Sequence, residues 1–367
     1  MKTLHFVLMV FSFFSFCNVS FCQISVIDDS YNFFGHSFKY KNDVYFSKDG
    51  DLAKLDEQTL TTYKYYNNDY SFGNFMVEYN GLAYCIYSKT IAYSDDFYGE
   101  TWALLSFDGN QLNLVKDGFD EIWEFIEYND TLFFTELQEE SWDQSFNLIK
   151  FDGENFHQVC KLGGNNSYGI MPVIFNDTLF FRIITQSEIS HLAKYCNGIT
   201  QIVNNPDEAQ MYGGYSAEKP LIINDSLYII FNNKHGVNQF AKYNNNQLEL
   251  IDNPGNGQIY MVCSIQLKDT VYFNYRNEQG KFLLAYFDGK AIKLLPQYDD
   301  GLQMFTEPVV FNDVLYFNCL NSKKQAQLLK IEGNKIEVAA EIENAFSRLT
   351  DPIIAKNTLY FRIQSDI

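Results

Sequence analysis

The chain has 367 residues, a net charge of −19 and 46% hydrophobic residues, with 34 Phe and 26 Tyr. An acidic surface of this size repels phosphate backbones and anionic bilayers, which argues against nucleic acid and membrane surfaces as partners. The apolar fraction is enough to fill a core, and its aromatic bias suits strands.

Residues 1–22 read as a signal peptide. Lys2 supplies the positive end and an apolar run follows from Phe6 to Phe16. Ser20-Phe21-Cys22 then spaces small residues for cleavage before Gln23. The run is too short to span a hydrocarbon layer of about 30 Å, and no later segment approaches a transmembrane span. A lipid anchor is disfavoured because Phe precedes both Cys17 and Cys22. The expectation is a secreted chain, extracellular or periplasmic, with one folded domain at 23–367. Cys85, Cys160, Cys196, Cys263 and Cys319 lie scattered on apolar runs without a CxxC pair. They read as small buried hydrophobes, not as a disulfide framework or a thiolate zinc site.

One pattern recurs along the rest of the chain. Asn-Asp-Thr-Leu-Phe-Phe occurs at 129–134 and 176–181. Looser copies begin at Lys41, Asn80, Asn224, Lys268, Asn312 and Lys356. Successive copies are 39 (80−41) to 49 (129−80) residues apart, a period that signals stacked supersecondary units. An apolar run precedes each Asn-Asp step and another follows it, which predicts a tight hairpin because both turn residues tolerate positive φ. Pro172, Pro220, Pro308 and Pro352 stand four residues before the step, where the first residue of a strand accepts proline.

A second hairpin completes the unit. Its first arm reads Leu104-Leu105-Ser106-Phe107, Leu148-Ile149-Lys150-Phe151 or Leu328-Leu329-Lys330-Ile331. The turn is Asp108-Gly109, Asp152-Gly153, Asn197-Gly198, Asp288-Gly289 or Glu332-Gly333. Consecutive apolar residues, as in Leu132-Phe133-Phe134, imply strands buried on both faces, so the sheets must stack on one another. Four short antiparallel strands per unit, stacked radially, predict an all-β single β-propeller. Eight blades are favoured, the last completed by the N-terminal strand Ile24-Ser25-Val26-Ile27-Asp28. Seven blades with a spare hairpin is the alternative, because only seven second hairpins are present.

The layout Leu-x-Lys-Phe-Asp-Gly, a Gly-containing loop, then Asn-Asp-x-Leu-Tyr-Phe is similar to the bacterial ELWxxDGT-repeat propellers. The resemblance covers nearly all of the chain after residue 22, although Ala103-Leu104-Leu105-Ser106-Phe107-Asp108-Gly109 lacks the Glu and Trp of that motif. It implies a secreted or surface scaffold and carries no catalytic residue across.

Site signals are sparse. Ser94-Asp95-Asp96-Phe97-Tyr98-Gly99-Glu100-Thr101-Trp102 resembles the Asp box of sialidase-like propellers, with one residue too many, and reads as a polar loop entering a strand. Turn acids (Asp108, Asp130, Asp152, Asp177, Asp225, Asp269, Asp288 and Asp313) share one end of the units. They read as turn chemistry, and no metal or other cofactor is expected. His36, His157, His191 and His235 show no metal or catalytic spacing, and no GxSxG, P-loop or GxGxxG occurs, so no catalytic residue is assigned. The opposite end holds the longer connections, 116–123, 162–171, 204–219, 253–260 and 296–307. Their Trp123, Tyr168, Tyr212, Tyr215, Tyr260 and Tyr298 suit recognition of a protein or glycan. The expected function is a monomeric, non-enzymatic binding propeller with a protein or carbohydrate ligand. A propeller hydrolase or lyase acting on polysaccharide is the alternative.

Overall fold

The computed structural model describes residues 6–11 and 38–365, apart from 57–58, 66–69, 95–96, 141–142, 164–170, 186–188, 207–208, 212–219, 296–305, 321–325, 333–334, 342–346 and 356–357. It is an all-β propeller of seven four-stranded antiparallel blades, at 38–63, 71–119, 121–163, 173–202, 210–250, 258–294 and 306–341. Strands follow chain order within each blade. In blade 5 the first strand is in two pieces, Gln210–Met211 and Leu221–Ile223, both paired with Ser226–Asn232. No described helix is long and apolar enough to cross a membrane.

The blade count corrects the favoured eight. Among the described residues the eighth unit contributes only the hairpin Ser347–Ala355 and Thr358–Ser365. This hairpin is extended to three strands by Phe6–Phe11, which pairs antiparallel with Thr358–Ser365 from Phe6↔Gln364 to Phe11↔Leu359. The segment expected there, Ile24-Ser25-Val26-Ile27-Asp28, lies outside the described residues. The strand that pairs belongs instead to the leader-like apolar run.

The Asn-Asp steps form the expected turns. Asn129 and Asp130 have φ of 50° and 51°, Asn176 and Asp177 48° and 52°, and Asn224 and Asp225 47° and 52°. Two successive positive φ values define the type I′ turn, whose twist matches that of the strands it joins. The second hairpins close on Asp108, Asp152 and Asp288. Each Oδ1 accepts two backbone N–H groups, from Asn110 and Gln111, Glu154 and Asn155, and Lys290 and Ala291.

Both faces of each sheet are buried, which explains the unbroken apolar runs. Leu132 and Phe134 pack with Tyr84, Ile86 and Leu104 of blade 2. Phe133, between them, packs with Leu179 and Phe181 of blade 4. Each such side chain contributes about 2–3 kcal/mol of hydrophobic stabilisation on burial. Tyrosines staple the blades at the tight-turn end. Tyr40 Oη donates to the Gly81 carbonyl (2.8 Å), Tyr79 to Asp130 (2.8 Å) and Tyr128 to Asp177 (2.7 Å), each across to the following blade. Tyr228 does the same between blades 5 and 6, to Gly289 (2.9 Å).

Candidate functional site

The innermost strands are irregular at one recurring place. Register slips fall between Phe72 and Met76, Trp123 and Ile126, Tyr260 and Ile265, Thr306 and Val309, and Thr350 and Ile353. All lie shortly before the tight turn, and the split first strand of blade 5 is interrupted there too. Pro308 and Pro352 therefore do not begin strands as expected. They sit at bulges, where the missing N–H costs no ladder bond, whereas Pro172 and Pro220 directly precede their strands. The first strands surround the axis of a propeller, so these bulges face the central channel.

Buried polar side chains recur at one position of the second strands, beside the bulges in blades 3, 6 and 7. Ser47, Thr135, Arg182, Asn274 and Asn318 occupy the sixth position after the start of their motif copies, and none is more than 6% exposed. The register places Thr135 opposite Trp123, Asn274 opposite Tyr260 and Asn318 opposite Thr306, each at the upper end of a bulge. Sequence reading missed this set. Its signal is a polar residue closing Phe-Ser, Phe-Thr, Phe-Arg and Phe-Asn in otherwise apolar strands.

Blade 3 carries the densest polar array. Its first strand, Glu121–Glu127, is separated from the preceding Leu112–Phe119 by the single residue Asp120, so the connection expected at 116–123 is almost wholly strand. Trp123 accordingly lies on an innermost strand, not a loop. Its Nε1 donates to Glu121 Oε2 at 2.9 Å. Its ring is 5.5 Å from that of Trp102 in blade 2, at an interplanar angle of 38°. Glu124 adopts a φ of 54°, a left-handed conformation that non-glycine residues seldom take, and its carboxylate accepts the Met171 N–H of the next blade at 3.0 Å. Met171 is itself left-handed, at 51°.

Charges at this end are only partly solvated. Burial raises the Glu136 carboxyl above its ordinary value, with Lys116 opposing and Asp120 adding to the rise. Lys116 Nζ lies 4.2 Å over the Phe119 ring and 4.9 Å over that of Phe156. In blade 4 burial lowers the Arg182 pKa against the charge of Glu124, and Arg182 Nε donates to Ser190 Oγ at 2.6 Å. Burial also lowers His191, with the Asn205 side chain opposing the fall. Gln138, Asn147 and Gln158 form a chain, in which Asn147 Nδ2 donates to Gln138 and Gln158 Nε2 donates to Asn147.

Of the six expected binding rings, the structure places two. Trp123 joins the array above. Tyr260, on the first strand of blade 6, is half-buried and packs edge-on against Phe282 of its own blade at 5.3 Å. Tyr168, Tyr212, Tyr215 and Tyr298 lie outside the described residues. The Asp-box-like segment, of which 95–96 lie outside the described residues, continues into Phe97–Phe107, which pairs with Leu82–Ser94 in a long hairpin, and Leu132–Glu140 with Asp143–Phe151 extends blade 3 likewise. Among the described residues no three His, Cys, Asp or Glu side chains group so as to hold a metal ion.

No family model and no curated protein matches the sequence. Solved structures do match the fold. A puromycin-hydrolyzing peptidase of Mycobacterium tuberculosis superposes with a TM-score of 0.52 at 12% identity, over 80% of this chain and 50% of that one. A puromycin hydrolase S511A mutant complexed with PGG superposes with a TM-score of 0.52 at 7% identity, over 89% of this chain and 57% of that one. The β-propeller domain of the Trilobed protease from Pyrococcus furiosus matches at 0.49 and 9%, over 82% and 92%. The chain thus spans about half the length of the first of these. The neighbours correct the expectation of a non-enzymatic binder of protein or glycan, with its polysaccharide-cleaving alternative, because the two named structures that superpose at 0.52 are a puromycin-hydrolyzing peptidase and a puromycin hydrolase. The binder expectation rests on loops and rings within the chain. Those features carry no signal of the chemistry that a propeller accompanies.

Proposed function

We propose that this chain is the propeller of a peptide-hydrolysing system, receiving peptides at its long-loop end and presenting them for cleavage. The observation that carries the reading is the superposition on two peptidases over 80% and 89% of this chain but only 50% and 57% of theirs. Two features of the site support it. Bulged first strands put residues such as Glu124 and Phe125 outside the ladder, which leaves backbone irregular where an extended peptide would run. Half-buried tryptophans and carboxylates at the mouth between blades 2 and 3 offer contacts for side chains. The leader-like residues 1–22 support a role outside the cytoplasm.

The test is fluorescence polarisation of the purified full chain with a labelled mixed-sequence peptide library, followed by mass spectrometry for cleaved products. Saturable binding, reduced by Trp123→Leu in a variant with unchanged circular dichroism, is the expected result. A folded chain that neither binds nor cleaves any peptide contradicts the reading.

A further inference from the structure

We propose that the mouth between blades 2 and 3 selects cationic side chains, so that the peptides received are basic ones. This rests on the peptide reading above and names the substrate class of that site. Three observations lead to it. The first is the aromatic pair. Trp102 and Trp123 are both half-buried, and their rings meet at 38°, an open wedge and not a closed stack. Indole faces are the strongest aromatic partners of guanidinium and ammonium groups.

The second is where the negative charge sits. Trp123 Nε1 holds the Glu121 carboxylate at the edge of the ring. Exposed Asp117 and Asp120 lie on the adjoining end of blade 2, and half-buried Glu136 pairs with Ile122 across the ladder. A planar guanidinium laid on an indole reaches a carboxylate at the ring edge with its N–H fork, an arrangement that an ammonium matches only as a point charge. The third is that this junction already holds a cation on aromatic rings. Lys116 Nζ rests over Phe119 and Phe156 while its charge acts on Glu136. A net charge of −19 adds long-range attraction for basic chains and repulsion for acidic ones.

The experiment compares two capped peptides on the full chain by isothermal titration calorimetry, Ac-Gly-Arg-Gly-Arg-Gly-NH2 and the same peptide with citrulline for arginine. Citrulline keeps the shape and removes the charge. The mixed-sequence library is run alongside. The arginine peptide is expected to bind about tenfold tighter than the citrulline peptide. Glu121→Gln and Trp123→Leu should each shrink that ratio, and Trp123→Phe should restore part of it. Raising the salt concentration should weaken the arginine peptide more than the citrulline one. Equal affinities for the two peptides, with the library still bound, overturn the selection and leave the peptide reading standing. No binding by peptides or library overturns both.

Discussion

Tyr40, Tyr79 and Tyr128 stand just before the turn step in three successive units, and each hydroxyl donates to a carbonyl of the next blade. Such a bond has a net worth of about 0.5–1.5 kcal/mol, and removing it leaves the acceptor at a closely packed junction. Tyr128→Phe should therefore lower stability by about 1 kcal/mol, read as a drop in the denaturant midpoint with an unchanged slope. Asp288 gives a pH signature. The hydrogen bond from Lys293 Nζ (2.7 Å), then those from Ala291 and Lys290 N–H, hold its carboxyl down to about 2, below the ordinary 3.8. A depressed folded pKa adds stability that is fully present above about pH 4 and is lost as pH falls through 2. Asp288→Asn should flatten the stability profile between pH 4 and 2 and lower stability at pH 7. The latching tyrosines were present in the sequence pattern, but a tyrosine in a strand reads first as a packing ring. Arg182 and Thr135 went unread for a related reason: a single polar residue in an apolar run gives no hint of what it faces.

The two-residue turns are the most legible elements. Asn followed by Asp between apolar runs asks for two positive φ values, and the structure has them at Asn129-Asp130, Asn176-Asp177, Asn224-Asp225 and Asn312-Asp313. Asn176→Ala should cost about 1 kcal/mol because a Cβ without a polar end is strained at φ 48°, and Asn176→Gly should recover most of it. Thermal unfolding of the two variants checks this. The bulges were not legible. Pro308 is compatible with either a strand start or a bulge, and only the register of Thr306–Phe311 against Val314–Leu320 decides between them. The stretch 116–123 misled because it reads as one of the longer connections. In the sheet, Gly118 takes its φ of 76° within a strand that runs on to Phe119.

For the whole molecule, the repeat dictated stacked sheets because runs such as Leu132-Phe133-Phe134 have no wet face to offer. The number of blades depended instead on the last unit, whose described strands are one hairpin extended by Phe6–Phe11. Phe6–Phe11 pairs with Thr358–Ser365, yet these residues also form the apolar core of the leader-like segment. Intact-mass measurement of the protein exported from its own leader is expected to show Gln23 as the first residue. A retained residue 1 would instead make Phe6–Phe11 a lasting strand of the final sheet. Function was the least legible level, because under the proposed role of receiving peptides the chain itself would carry no catalytic motif.

Photo-crosslinking tests that claim most directly. A basic peptide carrying benzoylphenylalanine is irradiated on the full chain, and the adducts are mapped by mass spectrometry. Adducts confined to the long-loop end, around Trp102, Glu121–Glu127 and Glu136, are the predicted result. Adducts on the tight-turn end, around Asp108, Asp130 or Asp177, or none that an unlabelled peptide competes away, contradict it.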